Sequence, residues 1–146
     1  SPDQLIMIVI AGKISIIEDN VEMNHMYERA FRFNGYEVNP FYDGESAQTD
    51  LFALKDIPAA ILLDAKLPDI GGLDLLRTIR KDPHFKDVPI VILTNSFYKE
   101  DAKQFISAGA ALYLIKIEHQ VKDIIEKVEE LIHRSKGQAS ETEKEV

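Results

Sequence analysis

The sequence predicts an α/β chain: a doubly wound, five-stranded parallel sheet with helices on both faces. Two observations carry that expectation. Short apolar runs alternate with helical stripes from residue 13 to residue 134, the rhythm of strand–helix–strand units joined by right-handed crossovers. One of the runs, Ala59-Ala60-Ile61-Leu62-Leu63, is apolar without alternation, as a strand covered on both faces must be.

The elements follow in order. Ile14-Ser15-Ile16-Ile17 reads as a buried strand. Met23, Met26, Tyr27, Ala30 and Phe31 then fall at i, i+3, i+4, i+7 and i+8, one face of a helix. Asn20 is placed to cap its start, and Asn34-Gly35 to stop it. Glu37 to Tyr42 is a weaker strand whose Pro40 confines it to a sheet edge. Asp43-Gly44 turns into a helix carrying Ala47, Leu51 and Leu54. After the Ala59–Leu63 strand, a loop from Asp64 to Gly72 leads to a helix with Leu75, Leu76 and Ile79. Val88 to Leu93 is the fourth strand, followed by a helix with Ala102, Phe105 and Ile106 that ends at Gly109. Ala111 to Ile115 is the last strand. Val121, Ile124, Ile125, Val128, Leu131 and Ile132 form an unbroken stripe on the last helix.

Residues 13–134 therefore make one domain. Residues 135–146, polar and of mixed charge, read as a disordered tail. Residues 1–12 form a hydrophobic leader around Leu5 to Ile10; because the chain opens at Ser1-Pro2, its first few residues are expected to be non-native remnants. An apolar leader invites self-association, so a weak homodimer is expected.

Composition removes several classes of function. The 146 residues are 45% hydrophobic, enough for a core, which excludes disorder across the chain. No cysteine is present, so there is no disulfide, thiolate nucleophile or cysteine zinc site. With 17 basic and 25 acidic residues the net charge is −8, a surface that repels nucleic acid and anionic membrane. No apolar run approaches the ~20 residues of a membrane span. The Leu5–Ile10 run has no basic flank and is shorter than a signal-peptide core of ~7–15 residues. A cytoplasmic location is expected.

In an open parallel sheet, ligands bind beyond the carboxyl ends of the strands. The residues found there are Glu18-Asp19 after strand 1, Asp64 after strand 3, Thr94 after strand 4 and Lys116 after strand 5. Strands commonly stop at polar residues, so each position alone is ambiguous. Their chemical types, however, fit together. Three gathered carboxylates repel one another unless a cation neutralises them. With a loop carbonyl and waters they make the hard-oxygen set that Mg²⁺ uses beside a phosphoryl group. An ammonium and a hydroxyl supply donors for the remaining phosphoryl oxygens.

The motifs Ile16-Ile17-Glu18-Asp19-Asn20, Leu62-Leu63-Asp64-Ala65-Lys66-Leu67-Pro68-Asp69-Ile70-Gly71-Gly72, Ile92-Leu93-Thr94 and Tyr113-Leu114-Ile115-Lys116 resemble, in this order, the receiver domains of two-component response regulators. The resemblance covers residues 13–134. It implies a flavodoxin-like sheet of strand order 2-1-3-4-5, with Asp64 as phosphoacceptor from a sensor histidine kinase or histidine phosphotransfer protein. Glu18, Asp19 and Asp64, with the backbone carbonyl of Lys66, are implied to hold Mg²⁺. Lys116 is implied to pair with the phosphoryl group and Thr94 to hydrogen-bond it. Tyr113 stands where the family carries an aromatic that swings inward as the hydroxyl moves. Output is implied to be contact with a downstream protein through the helix 4–strand 5–helix 5 face, without direct nucleic-acid or membrane binding. The chain is implied to be a regulatory domain that catalyses only its own phosphorylation and dephosphorylation.

Two departures stand out. Lys116 precedes Ile117 where the family usually has proline, so a trans bond is expected there. Asn95, after the hydroxyl, is larger than the family's usual small residue and is expected to narrow access to the phosphoryl group. A dehalogenase-type aspartyl hydrolase needs a second Asp where Lys66 stands, and an FMN carrier needs a Gly/Ser/Thr-rich loop where Glu18-Asp19 stands. The serious alternative is a degenerate receiver, a protein-interaction module independent of phosphorylation. His25, His84, His119 and His133 are dispersed without ligand spacing and read as solvated surface groups.

Overall fold

The computed structural model describes residues 11–144, with side chains through residue 136. Five strands alternate with five helices: β1 (Lys13–Ile17), α1 (Val21–Phe33), β2 (Glu37–Phe41), α2 (Gly44–Phe52), β3 (Ala60–Asp64), α3 (Gly72–Lys81), β4 (Ile90–Thr94), α4 (Lys99–Ser107), β5 (Leu112–Ile115) and α5 (Val121–Lys144). All pairings are parallel, in the order β2-β1-β3-β4-β5. Pro40 lies on β2, an edge strand, where a missing N–H leaves no interior rung broken.

The two-residue period of the strands divides the core between the two faces. Ile14, Ile16, Leu62, Val91 and Leu93 pack with Tyr27 and Phe31 of α1 and Ile124 and Val128 of α5. Ile17, Ile61, Leu63, Ile90 and Ile92 pack on the other side with Leu51 of α2, Leu75, Leu76 and Ile79 of α3, and Phe105 of α4. The sheet is therefore dry on both faces, and its polar residues collect at its ends.

Several expectations need correction. Leu54 falls beyond α2, which is capped by Ala53. The fourth strand starts at Ile90 rather than Val88, because Pro89 cannot donate to the ladder. Met26 and Ile106 are 38% and 48% exposed, so they sit at the margins of their helical stripes. The tail expected to be disordered from Ser135 continues α5 to Lys144; its Ala, Gln, Glu and Lys residues are good helix formers. Single 3-10 turns at Pro83–Phe85 and Lys116–Glu118 were not legible in the periodicity. The apolar leader Leu5–Ile10 lies outside the described residues. Ala11 and Gly12, at its end, bond to the β2 side of the sheet through Ala11 N–H to Gly35 O (3.0 Å) and Glu37 N–H to Gly12 O (2.9 Å).

Candidate functional site

β1 ends where Glu18 donates its N–H to Phe41 O of β2 at 3.0 Å. The chain then turns through Asp19 and Asn20 into α1. Asn20 caps the helix by accepting from Met23 N–H at 2.9 Å, and its own N–H donates to Glu18 Oε2 at 3.2 Å. Glu18 is thereby drawn inward and buried, while Asp19 stays exposed.

Asp64 is the last residue of β3 and is also buried. Lys66 N–H donates to its Oδ1 at 3.1 Å, and the Lys66 side chain is exposed. The start of α3 is pressed against this strand end. A Cβ at Gly72 would come within 2.6 Å of the carbonyl oxygens of both Asp64 and Ala65, so only glycine fits.

Lys116 follows β5 in the 3-10 turn and reaches back under the pocket. Its Nζ donates to Glu18 Oε1 and, at 3.1 Å, to Asp64 Oδ2. The bond between Lys116 and Ile117 is trans, as the sequence leads one to expect. Glu18, Asp19 and Asp64 can each offer one oxygen, all within 4.8 Å of one another.

The charges are unequal in their comfort. Burial pushes the Glu18 carboxyl up to about 7, with the neighbouring Asp64 adding to the rise and Lys116 opposing it. Burial alone would lower Lys116, but its two carboxylate partners outweigh burial and raise it. One ammonium thus faces two buried carboxylates and an exposed third, leaving net negative charge for a cation. The donors are all hard oxygens, the class Mg²⁺ prefers, so the residues present fit that ion.

Thr94 is buried at the end of β4, and its hydroxyl donates to Ser96 O at 2.9 Å. No hydrogen bond joins it to Asp64 or Lys116 among the described residues. Tyr113, on β5 beside Ile92, is half-buried against Phe105 (ring centroids 5.4 Å) and Phe97 (6.1 Å). Burial raises its phenol, and the nearby Thr94 side chain partly offsets this. The structure therefore gathers Glu18, Asp19, Asp64 and Lys116 in one cluster, with Thr94 and Tyr113 on the flank. Asn95 is exposed beside them.

Two supporting residues escaped sequence reasoning. Asn24 is fully buried in α1, with its amide on backbone carbonyls of the strand ends. Its cue was an asparagine inside an otherwise apolar helix face, where that residue is disfavoured. Asp69 accepts from Gly44 N–H at 2.8 Å and Glu45 N–H at 2.7 Å, bridging the β3–α3 loop to the start of α2. No local signal marks a partner so distant in sequence.

Comparison with known proteins agrees with this geometry. Residues 14–129 match the response regulator receiver domain family. The chain is 29% identical over 129 residues to the transcriptional regulatory protein PhoP of Escherichia coli K12, covering 88% of this chain and 56% of that protein. It thus spans about half the length of the curated relatives it matches. A solved structure from Chloroflexus aurantiacus, assigned as a response regulator, superposes with a TM-score of 0.75 at 29% identity, covering 84% of this chain and 98% of the other. A CheY-like receiver domain protein from Methanospirillum hungatei shares the fold, with a TM-score of 0.78 at 23% identity and coverage of 86% and 97%.

Proposed function

The chain belongs to the response regulator receiver domain family, and from that premise we propose that it is a phosphorylation switch whose acceptor is Asp64. The observation that carries this reading is the buried Asp64 carboxylate, held between Lys116 and the Glu18-Asp19 pair at the carboxyl end of the sheet. The donor is a phosphohistidine of a sensor kinase or phosphotransfer protein. A carboxylate oxygen of Asp64 bonds to phosphorus as the P–N bond to the donor imidazole breaks. The electron pair leaves with the imidazole nitrogen, which takes up a proton.

Glu18, Asp19, Asp64 and the Lys66 carbonyl would hold Mg²⁺, which when bound would supply charge neutralisation at the phosphoryl oxygens. Lys116 already donates to Asp64 and keeps its proton, so it serves as a fixed positive partner for the new phosphoryl group. Thr94 can exchange its bond to Ser96 O for one to a phosphoryl oxygen. Tyr113, packed beside Thr94, is positioned to follow that movement. The message passes by contact through α4, β5 and α5, where Ile106 of α4 is exposed together with Phe97 and Tyr98 of the loop that leads into α4. The described residues contain no helix long and apolar enough to cross a membrane; a cytoplasmic setting and a weak homodimer complete the reading.

The test is incubation with acetyl phosphate and Mg²⁺, followed by mass analysis of intact protein and peptides. One phosphoryl group is expected, on Asp64, only with a divalent cation. Label on a histidine, or full labelling of Asp64→Asn, overturns the assignment. A wild type that takes no label supports a phosphorylation-independent interaction module instead.

A further inference from the structure

Asn24 lies in α1 and has no part in the phosphoryl transfer described above. It is fully buried, and its Nδ2 donates to Glu18 O and Phe41 O, both at 3.0 Å, and reaches Ile16 O at 3.5 Å. All three neighbours are acceptors, which fixes the amide nitrogen as the atom that faces them. Phe41 O also receives the Glu18 N–H, so one side chain ties the ends of β1 and β2 together. The Asn24 N–H in turn donates to Asn20 O at 2.9 Å. The acidic turn Glu18-Asp19-Asn20 is thus held at both ends by one residue.

Asp19 makes no side-chain hydrogen bond of its own among the described residues, so the place of its carboxylate follows from the backbone of that turn. Packing alone does not account for an asparagine here. Its Oδ1 is buried without a partner, a cost that the donations of its Nδ2 to Glu18 O and Phe41 O offset.

We propose that Asn24 is a positioning residue for the acidic site: its amide holds the Glu18-Asp19-Asn20 turn so that the Glu18, Asp19 and Asp64 carboxylates converge, and so sets the affinity for a divalent cation. The inference rests on the Mg²⁺-binding reading above and adds to it a residue that touches neither cation nor phosphoryl group. Groups that orient metal ligands in this way change affinity by about 10- to 100-fold when removed.

The test is a Mg²⁺ titration of the ¹⁵N-labelled full chain by NMR, at a temperature where every variant is folded. Wild type is compared with Asn24→Leu and Asn24→Ser, and with Val128→Ala, a buried α5 substitution remote from the turn. The Asn24 variants are expected to bind Mg²⁺ about tenfold more weakly, with Val128→Ala unchanged. Asn24 variants that bind like wild type, or a control that weakens equally, overturn the proposal. Wild type without saturable binding overturns the phosphoacceptor reading together with this one, so the two failures are distinguishable. Should both Asn24 variants fail to fold, the wild-type spectrum decides. The Asn24 side-chain amide resonance should shift with the same dissociation constant as the Asp19 backbone amide, and a resonance that stays fixed overturns the proposal.

Discussion

Glu18 is where the chemistry of the pocket and its stability conflict. Its carboxyl is raised from 4.5 to about 7, so between those values the folded state holds a proton that the unfolded state has released. Stability from this group is full below about 4.5 and is lost as pH rises through 7. Metal-free protein is therefore expected to melt at a lower temperature at pH 7.5 than at pH 5.5, a trend that thermal melts in EDTA will show or refute. Lys116 limits the damage by pairing with both Glu18 and Asp64. Lys116→Met strands two buried carboxylates and should cost about 3 kcal/mol at pH 7.5. The loss should shrink at pH 5, where a carboxylate takes up a proton. Urea unfolding of wild type and variant at both pH values measures this; an equal loss at both means that Lys116 acts through packing. The pairing itself was not foreseeable: the sequence names Lys116 as a partner for a phosphoryl group, whereas its contact with Glu18 spans 98 positions.

At the scale of elements, the sequence was most informative where one periodicity served one purpose. The stripe of α5 was legible because it buries one continuous face, and the unbroken Ala60–Leu63 run because it buries both of its faces, Ala60 and Leu62 on one side and Ile61 and Leu63 on the other. The site residues were legible for a related reason: in a parallel sheet, whatever polar residue ends an apolar run is delivered to the same edge. What could not be read were contacts between elements, and α2 shows why. Asp43 caps its start locally, accepting from Ser46 N–H at 2.6 Å, and the Asp43-Gly44 turn signalled as much. Asp69 takes the preceding two amides from another loop. Asp43→Ala should cost about 1 kcal/mol, as loss of a helix cap does. For Asp69, the hydrogen bond from Gly44 N–H, with that from Glu45 N–H, holds the carboxyl below its usual value of 3.8. Its stabilisation is thus present above that value and is lost as pH falls through the lowered one. Asp69→Asn should unfold more readily than wild type at neutral pH and converge with it in strong acid, as chemical denaturation at each pH will report.

The whole molecule couples the strand ends to global stability, because three carboxylates from two neighbouring strands converge only when the sheet is formed. A cation bound by the folded state alone stabilises by mass action, about 1.4 kcal/mol at tenfold excess over its dissociation constant. For a domain of this size that is a rise in melting temperature of roughly 3–6 °C. Asp64→Asn changes both sides of this balance. It removes the carboxylate that adds to the rise of Glu18, while the new amide oxygen can still accept from Lys116. It also removes one ligand from the set of three. The variant is therefore expected to melt above wild type in EDTA and to gain less from Mg²⁺. Four melts decide it: each protein with EDTA and with saturating Mg²⁺. A wild type indifferent to Mg²⁺ means that the three carboxylates do not act as one site, and an Asp64→Asn variant that melts lower in EDTA means that the bond from Lys116 to Asp64 outweighs the repulsion between the carboxylates.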